Sequence, residues 1–276
     1  MPNKQEHIVR YRILNPLEGN PEHAISVHAS PAEIVSLIDD GYVVRHGWFA
    51  AEQLAVLAVL LDAIAAEEVD RPDPRVQGYG GWQYLRSLEK RNEAFKTVAQ
   101  FEPLVSIAHA VLGPLIRVGE VVGKYGHARV AGQFVPWHIH MRLVTDPPPP
   151  FFSYPHGVDV FLNLDPIDAE NGAFCVLPGS HRFTRRIYEQ DDTSDLPGQT
   201  VLSLPAGSCV VMHANLWHRT CRSTANAELR RVLLFGYTPA WVDIEERDDD
   251  PKRPVAAKPR SLSDQTTLDA ISKFYA

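Results

Sequence analysis

The chain has 276 residues, 45% of them hydrophobic, 22% charged and 9% aromatic, with a formal charge of −7. This is a globular composition, long enough to bury roughly three quarters of its unfolded surface in one large domain or two small ones, and it excludes disordered and fibrous architectures. The 34 acidic side chains outnumber the 27 basic ones with no Lys/Arg block, so nucleic acid is not an expected partner; the longest apolar stretch, Leu54 to Ala66, is broken by Asp62 and falls short of the roughly 20 residues of a membrane span.

Residues 1–30 are polar and aperiodic and read as an N-terminal surface arm. Ser30, Pro31 and Glu33 then supply an N-cap, a proline at the first helical position and the carboxylate of a capping box, predicting a helix that runs to Asp40 and stops at Gly41. A short strand is expected at Tyr42 to Val44, then helices over Ala50 to Val69 and Asn92 to Leu112, so that 31–113 reads as helical support. From 114 the pattern changes to short Val, Leu, Ile and Phe runs punctuated by Gly, Pro and Asn-Gly, the signature of an antiparallel β sandwich or barrel.

The expected strands are Ile116–Lys124, Arg129–Trp137, Val158–Leu164, Phe174–Leu177, Gln199–Leu204, Ser208–His213 and Val232–Thr238. Asn171-Gly172 reads as a tight hairpin turn and Pro205-Ala206-Gly207 as a second turn. Asp146 to Pro150, with its four prolines in succession, is an extended connector. The domain reading is an arm at 1–30, one domain at 31–242 with a β core over 114–242, and a charged tail at 243–276 whose apolar end, Leu268 to Tyr275, could form a short helix.

Three cysteines, Cys175, Cys209 and Cys221, show no CxxC spacing, which argues against a disulfide framework and a zinc knuckle. The opening MPNKQEHIVRYRIL lacks the apolar core of a secretory signal, so a cytoplasmic location is expected.

Seven of the twelve histidines fall between positions 127 and 218. His138 and His140 are two residues apart, and on a strand such residues share a face, so both rings can reach one metal ion. Far downstream, His213 and His218 flank Ala214-Asn215, which is expected to break the second strand. Imidazoles that leave coordination positions open suit a redox metal such as Fe(II), whereas closed zinc sites want four protein ligands.

The stretch Gly132 to Tyr237 resembles the phytanoyl-CoA dioxygenase family of Fe(II)/2-oxoglutarate oxygenases. The resemblance rests on Trp137-His138, Leu162-Asn-Leu-Asp165 through Glu170-Asn171-Gly172, Val176-Leu-Pro-Gly-Ser-His181-Arg182, Pro205-x-Gly207, Asn215-Leu-Trp-His218 and Arg230-Arg231, in that order. It implies a mainly β fold with flanking helices around a double-stranded β-helix, the cupin-like jelly roll. It implies Fe(II) and 2-oxoglutarate as cofactors and a small-molecule substrate. The family motif H-x-D/E…H places His138 and His218 as iron ligands and Arg230, twelve residues beyond His218, as the partner of the cofactor's far carboxylate. Lys124, His127 and Gln133 lie where relatives place polar groups that touch 2-oxoglutarate or substrate, Lys124 being the one assigned to the cofactor; Trp137, Trp217 and Phe161 are expected to pack around the site.

Position 140 departs from the family pattern, with His140 where a carboxylate is usual. Three readings follow: His140 is a third neutral ligand, a displaced Asp146 or Asp159 supplies the carboxylate, or the metal has been lost. An imidazole would also fill the gap in which some relatives bind halide, which disfavours halogenation. The function expected is oxygenation of a small organic metabolite by hydroxylation, desaturation or cyclisation, in a biosynthetic setting. The alternatives are an inactive binding or partner protein of the same fold, and a three-histidine enzyme that uses O₂ without 2-oxoglutarate, against which Arg230 argues. The loops Arg142 to Pro155 and Arg182 to Pro197 and the tail would set specificity.

Overall fold

A computed structural model describes residues 5–12, 14, 16–68, 81–140, 155–182 and 193–240. The proline connector with Asp146, most of both specificity loops, and the tail from 241 with its expected helix lie outside the described residues. The arm proves to contain two strands, β1 (His7–Arg12) and β2 (Glu22–Val27), which pair antiparallel and link Arg10 and Arg12 to Glu22. Cross-strand pairing of this kind leaves no periodic mark in a polar segment.

Helix α1 (Pro31–Asp39) begins as its sequence dictates: Ser30 Oγ accepts from the Glu33 amide and the Glu33 carboxylate accepts from the Ser30 amide. It is followed by β3 (Tyr42–Arg45) and α2 (Ala51–Glu67), and by two elements without a clear sequence signal, β4 (Gln83–Leu85) and α3 (Leu88–Arg91). The single helix expected over 92–112 is two, α4 (Glu93–Ala99) and α5 (Glu102–Leu112). Pro103 sits in the first turn of α5, where its missing N–H is harmless, whereas one continuous helix would have placed it in the interior.

The β core comprises β5 (Ile116–Val118), β6 (Val122–Gly126), β7 (Val135–His138), β8 (Val158–Asn163), β9 (Phe174–Val176), β10 (Thr200–Leu202), β11 (Cys209–His213), β12 (His218–Thr220) and β13 (Arg230–Pro239). Strand 116–124 is interrupted after Val118, and the strand expected from Arg129 starts only at Val135, because Arg129 and Gly132 take positive φ and turn the chain. Ala214-Asn215 does break the second histidine strand, as expected, and it resumes at His218 as β12.

The strands form two antiparallel sheets, one ordered β3-β11-β8-β13-β6-β4 with β5 also on β13, the other β10-β9-β12-β7. Alternation along β8, β11 and β13 sends Val160, Leu162, Val211, Leu233, Phe235 and Tyr237 into one cluster with α1, α2, α4 and α5, and Phe161, Val210, Met212 and Val232 into a second cluster with Phe174 and Val176 of the smaller sheet. The result is the double-stranded β-helix with helices against one outer face. No helix among the described residues is long and apolar enough to cross a membrane.

Asn171-Gly172 is not the hairpin turn its sequence suggests. Strands β8 and β9 belong to different sheets, and the segment between them is a crossover. Side chains shape it: Asp168 Oδ1 accepts from the amides of Glu170 and Asn171, and Asn171 bonds to Asp168 and Pro166. Gly172 keeps the positive φ of 90° that the motif implied, and a Cβ there would lie 2.6 Å from the Cys221 carbonyl oxygen.

Candidate metal centre

His138, the last residue of β7, and His218, the first of β12, are direct cross-strand partners. His140 lies two residues beyond, held by its amide on the Ala214 carbonyl at 3.0 Å. The three rings converge: centroids are 4.1 Å apart for His138 and His218, 4.7 Å for His140 and His218, and 5.4 Å for His138 and His140, and one ligand atom from each lies within 4.8 Å of the others.

The tautomers follow from the outer hydrogen bonds. Nδ1 of His138 meets the Pro136 carbonyl at 2.8 Å, Nδ1 of His218 the Leu216 carbonyl at 2.9 Å, and Nδ1 of His140 the Asp159 Oδ2 at 2.9 Å. Those oxygens can only accept, so each ring carries its proton on Nδ1 and keeps the Nε2 lone pair for a ligand. His218 Nε2 is fully buried with no hydrogen-bond partner. Burial first, then the charges that His138 and His140 would carry, hold His218 well below the ordinary histidine range, so it is neutral and able to donate. Three convergent imidazoles, with an orphaned buried Nε2 lone pair among them, fit a divalent ion that keeps further positions open. Phe161 and Phe174 wall the site, their rings 5.6 Å from that of His218.

A second cluster lies alongside. Thr220 is two residues beyond His218 on β12, and its hydroxyl accepts from Lys124 Nζ at 2.9 Å. Lys124 on β6 and Arg230 on β13 are 7% and 2% exposed, and both lie against the Trp82 indole: Lys124 Nζ is 4.1 Å and Arg230 Cζ 5.3 Å from its ring centroid. Arg230 Nη1 donates to the Gly172 carbonyl, while its Nε and the Trp82 Nε1 are buried without partners. Burial, and then Arg230, push Lys124 well below the ordinary lysine range; burial pushes Arg230 down to about 10. Two buried basic side chains, one with an unpartnered Nε–H, form a pocket suited to an anion.

The structure thus brings together His138, His140 and His218, and separately Lys124 and Arg230. Trp137 and Trp217 do not line the metal centre. As chain neighbours of His138 and His218 they pack instead with Cys175, Leu177 and Leu196, and Trp137 Nε1 donates to the Ser194 carbonyl at 2.9 Å. Gln133 bridges the amide and carbonyl of His127 and so braces a turn. His181 Nε2 donates to the Ile38 carbonyl at 2.8 Å and so ties the Ser180–Arg182 turn to the end of α1. Trp82 and Thr220 were not visible as site residues in the sequence; Trp82 follows Gly80-Gly81 in an aperiodic stretch with no local signal.

Comparison with known proteins agrees with this architecture. The chain is 25% identical over 234 residues, 74% of its length and 76% of the relative's, to a probable alpha-ketoglutarate-dependent hypophosphite dioxygenase of Stutzerimonas stutzeri. It shares its fold with HygX from Streptomyces hygroscopicus, solved with nickel, 2-oxoglutarate and hygromycin B (TM-score 0.63, 18% identity, 77% of this chain and 88% of that one). EctD from S. alaskensis, solved with bound Fe, is similar at a TM-score of 0.63, 17% identity and 84% of each chain. The sequence profile of Phytanoyl-CoA dioxygenase (PhyH) matches residues 38–232, and the chain belongs to this family of Fe(II)/2-oxoglutarate-dependent oxygenases.

Proposed function

We propose that this enzyme oxidises a small organic metabolite, with Fe(II) held by His138, His140 and His218 and the distal carboxylate of 2-oxoglutarate held by Arg230 and Lys124. The observation that carries the reading is the juxtaposition of three inward Nε2 lone pairs with two buried cations, linked through the His218–Thr220 strand. Fe(II), when bound, supplies the redox chemistry: O₂ is reduced as 2-oxoglutarate is decarboxylated to succinate and CO₂, and a substrate C–H bond is oxidised.

The chain supplies position and dryness. The Arg230 guanidinium offers parallel N–H donors to a carboxylate, and Lys124 adds a second charge in a site with little competing water. Carbonyls behind His138 and His218 fix both rings before any ligand arrives. Phe161 and Phe174 exclude water from the reacting centre. The cation pair also favours a 2-oxoglutarate-dependent reaction over one that uses O₂ alone. Hydroxylation is the default outcome, with desaturation or cyclisation as variants. The domain reading that accompanies this is a single oxygenase domain over 31–242 between arm and tail, and the three unpaired thiols suit a cytoplasmic setting.

Anaerobic titration with Fe(II), with and without 2-oxoglutarate, tests the proposal. A weak visible charge-transfer band that requires both components, and succinate formation on admitting O₂, are expected. Iron binding that 2-oxoglutarate leaves spectroscopically unchanged would overturn it.

A further inference from the structure

Among the described residues, the carboxylate nearest the three imidazoles is placed behind one of them. Asp159 projects from β8 on the same face as Phe161, and its Oδ2 accepts from His140 Nδ1 at 2.9 Å. The backbone makes room for it. Gly236 is the residue opposite Asp159 on β13, and a Cβ there would lie 2.5 Å from Asp159 Oδ1. The carboxylate is largely buried, at 15% side-chain exposure, and His140 is its side-chain partner among the described residues. His140 is also the ring whose neighbours constrain it least: it sits past the end of β7, whereas His138 and His218 are locked in a ladder and tied to their own strands' carbonyls.

From this geometry we infer that Asp159 is a positioning residue for the metal centre, fixing the tautomer and rotation of His140 and giving a three-imidazole site the negative charge that none of its ligands carries. The inference rests on the metal assignment proposed above. A carboxylate that accepts from the outer nitrogen of a ligating imidazole holds Nε2 on the ion and makes it a better donor. It also lowers the net charge that a divalent ion would otherwise leave in a half-buried pocket beside Lys124 and Arg230. Asp159 therefore acts through His140 and not as the displaced direct ligand that the sequence left open.

The test is a double-mutant cycle on Co(II) affinity, measured by competition with a chelator, with the Co(II) visible spectrum as a second readout and far-UV circular dichroism as the control for folding. Asp159→Asn in the otherwise native chain is expected to weaken Co(II) binding about 10- to 100-fold and to alter the spectrum. In a His140→Asp background, where the ligand is itself a carboxylate and has no Nδ1–H to orient, the same Asp159→Asn change should cost less than about threefold. Gly236→Ala, which keeps the carboxylate but displaces it, should follow Asp159→Asn. Equal costs in the two backgrounds mean a role in folding alone and overturn the inference, as does native affinity in Asp159→Asn. His138→Ala separates the two levels: if it binds Co(II) normally, the metal assignment itself has failed, whereas its loss of binding beside an indifferent Asp159→Asn overturns only the role of Asp159.

Discussion

Arg230 and Arg231 are consecutive on β13 and serve opposite faces of one sheet. Arg230 turns inward onto Trp82 and the Gly172 carbonyl. Arg231 turns toward the helices, where Nε and Nη2 meet the two oxygens of Asp165 at 2.9 and 2.7 Å and Nη1 meets Asp62 at 2.8 Å. Hydrogen bonding to Asp165 holds the Arg231 guanidinium above its ordinary range, while burial pushes Arg230 below it. One arginine is satisfied by the protein; the other has donors to spare.

That contrast predicts separable phenotypes. Arg230→Gln should weaken 2-oxoglutarate binding on the order of 100-fold, matching the roughly 3 kcal/mol of a lost buried charged pair, with little loss of stability. Arg231→Gln should leave 2-oxoglutarate affinity within about threefold and instead lower stability by about 1–2 kcal/mol. Calorimetric titration and urea unfolding of both variants decide it, and the opposite order would mean that the cofactor pocket is on the wrong face.

For the imidazoles, His138→Ala and His218→Ala should each abolish stoichiometric iron binding in a protein that stays folded. His140→Ala should weaken binding, and His140→Asp should retain it, because carboxylate and imidazole both suit Fe(II). Iron content of the purified variants is the measurement. Full occupancy in either of the first two would remove that residue from the ligand set.

Gly126 lies opposite Arg230 on β6, and the Trp82 indole occupies the space its side chain would fill: a Cβ there would stand 2.4 Å from Trp82 Cζ3. Gly126→Ala should push the indole off Lys124 and Arg230 and weaken 2-oxoglutarate binding about tenfold, cation–π contacts at desolvated sites contributing roughly 1–2 kcal/mol. Co(II) affinity should stay unchanged. A variant that loses metal but keeps 2-oxoglutarate affinity would contradict this division of labour.

Glu33 anchors the buried Arg45 guanidinium at 2.8 Å and closes the capping box of α1. Burial raises its pKa, but the hydrogen bonds from Arg45 and Ser30 and the Arg45 charge outweigh burial and leave it below the ordinary glutamate value. The folded value being the depressed one, its contribution is complete above the unfolded glutamate pKa and is lost as pH falls through the folded value. Glu33→Gln should therefore cost on the order of 2 kcal/mol at pH 7, and the gap to the native protein should close in acid. Urea midpoints measured across that pH range test it, and a gap that widens in acid would refute the sign.

Local chemistry explains what the sequence revealed. Ser30-Pro31-Glu33 caps its own helix, and the i, i+2 spacing of His138 and His140 needs only a strand-like direction to bring the rings together. Arg230 and Lys124 entered only through what the family resemblance implies, since neither spacing nor strand position alone would have singled them out; the fold brings both against Trp82. Asn171-Gly172 misled because a turn motif reports a positive φ and not which sheet the next strand joins. Trp82 and the His140–Asp159 pair were hidden for the same reason: each contact joins residues more than eighteen positions apart, and nothing local marks a ring that packs against Lys124 and Arg230 or a carboxylate that accepts from an imidazole.

The ladder between β7 and β12 has an energetic consequence for how the ion is held. Because His138 and His218 stand opposite each other across hydrogen-bonded backbone, their rings are neighbours whether or not an ion lies between them. Chain folding thus covers the entropy of gathering these two donors, and metal binding need not organise the protein. With the ligand set proposed above, the centre is expected to behave as a socket and not as a staple: stripping the ion with a chelator should be reversible and leave the two sheets in place, unlike small metal-folded domains, in which removing the metal unfolds the chain.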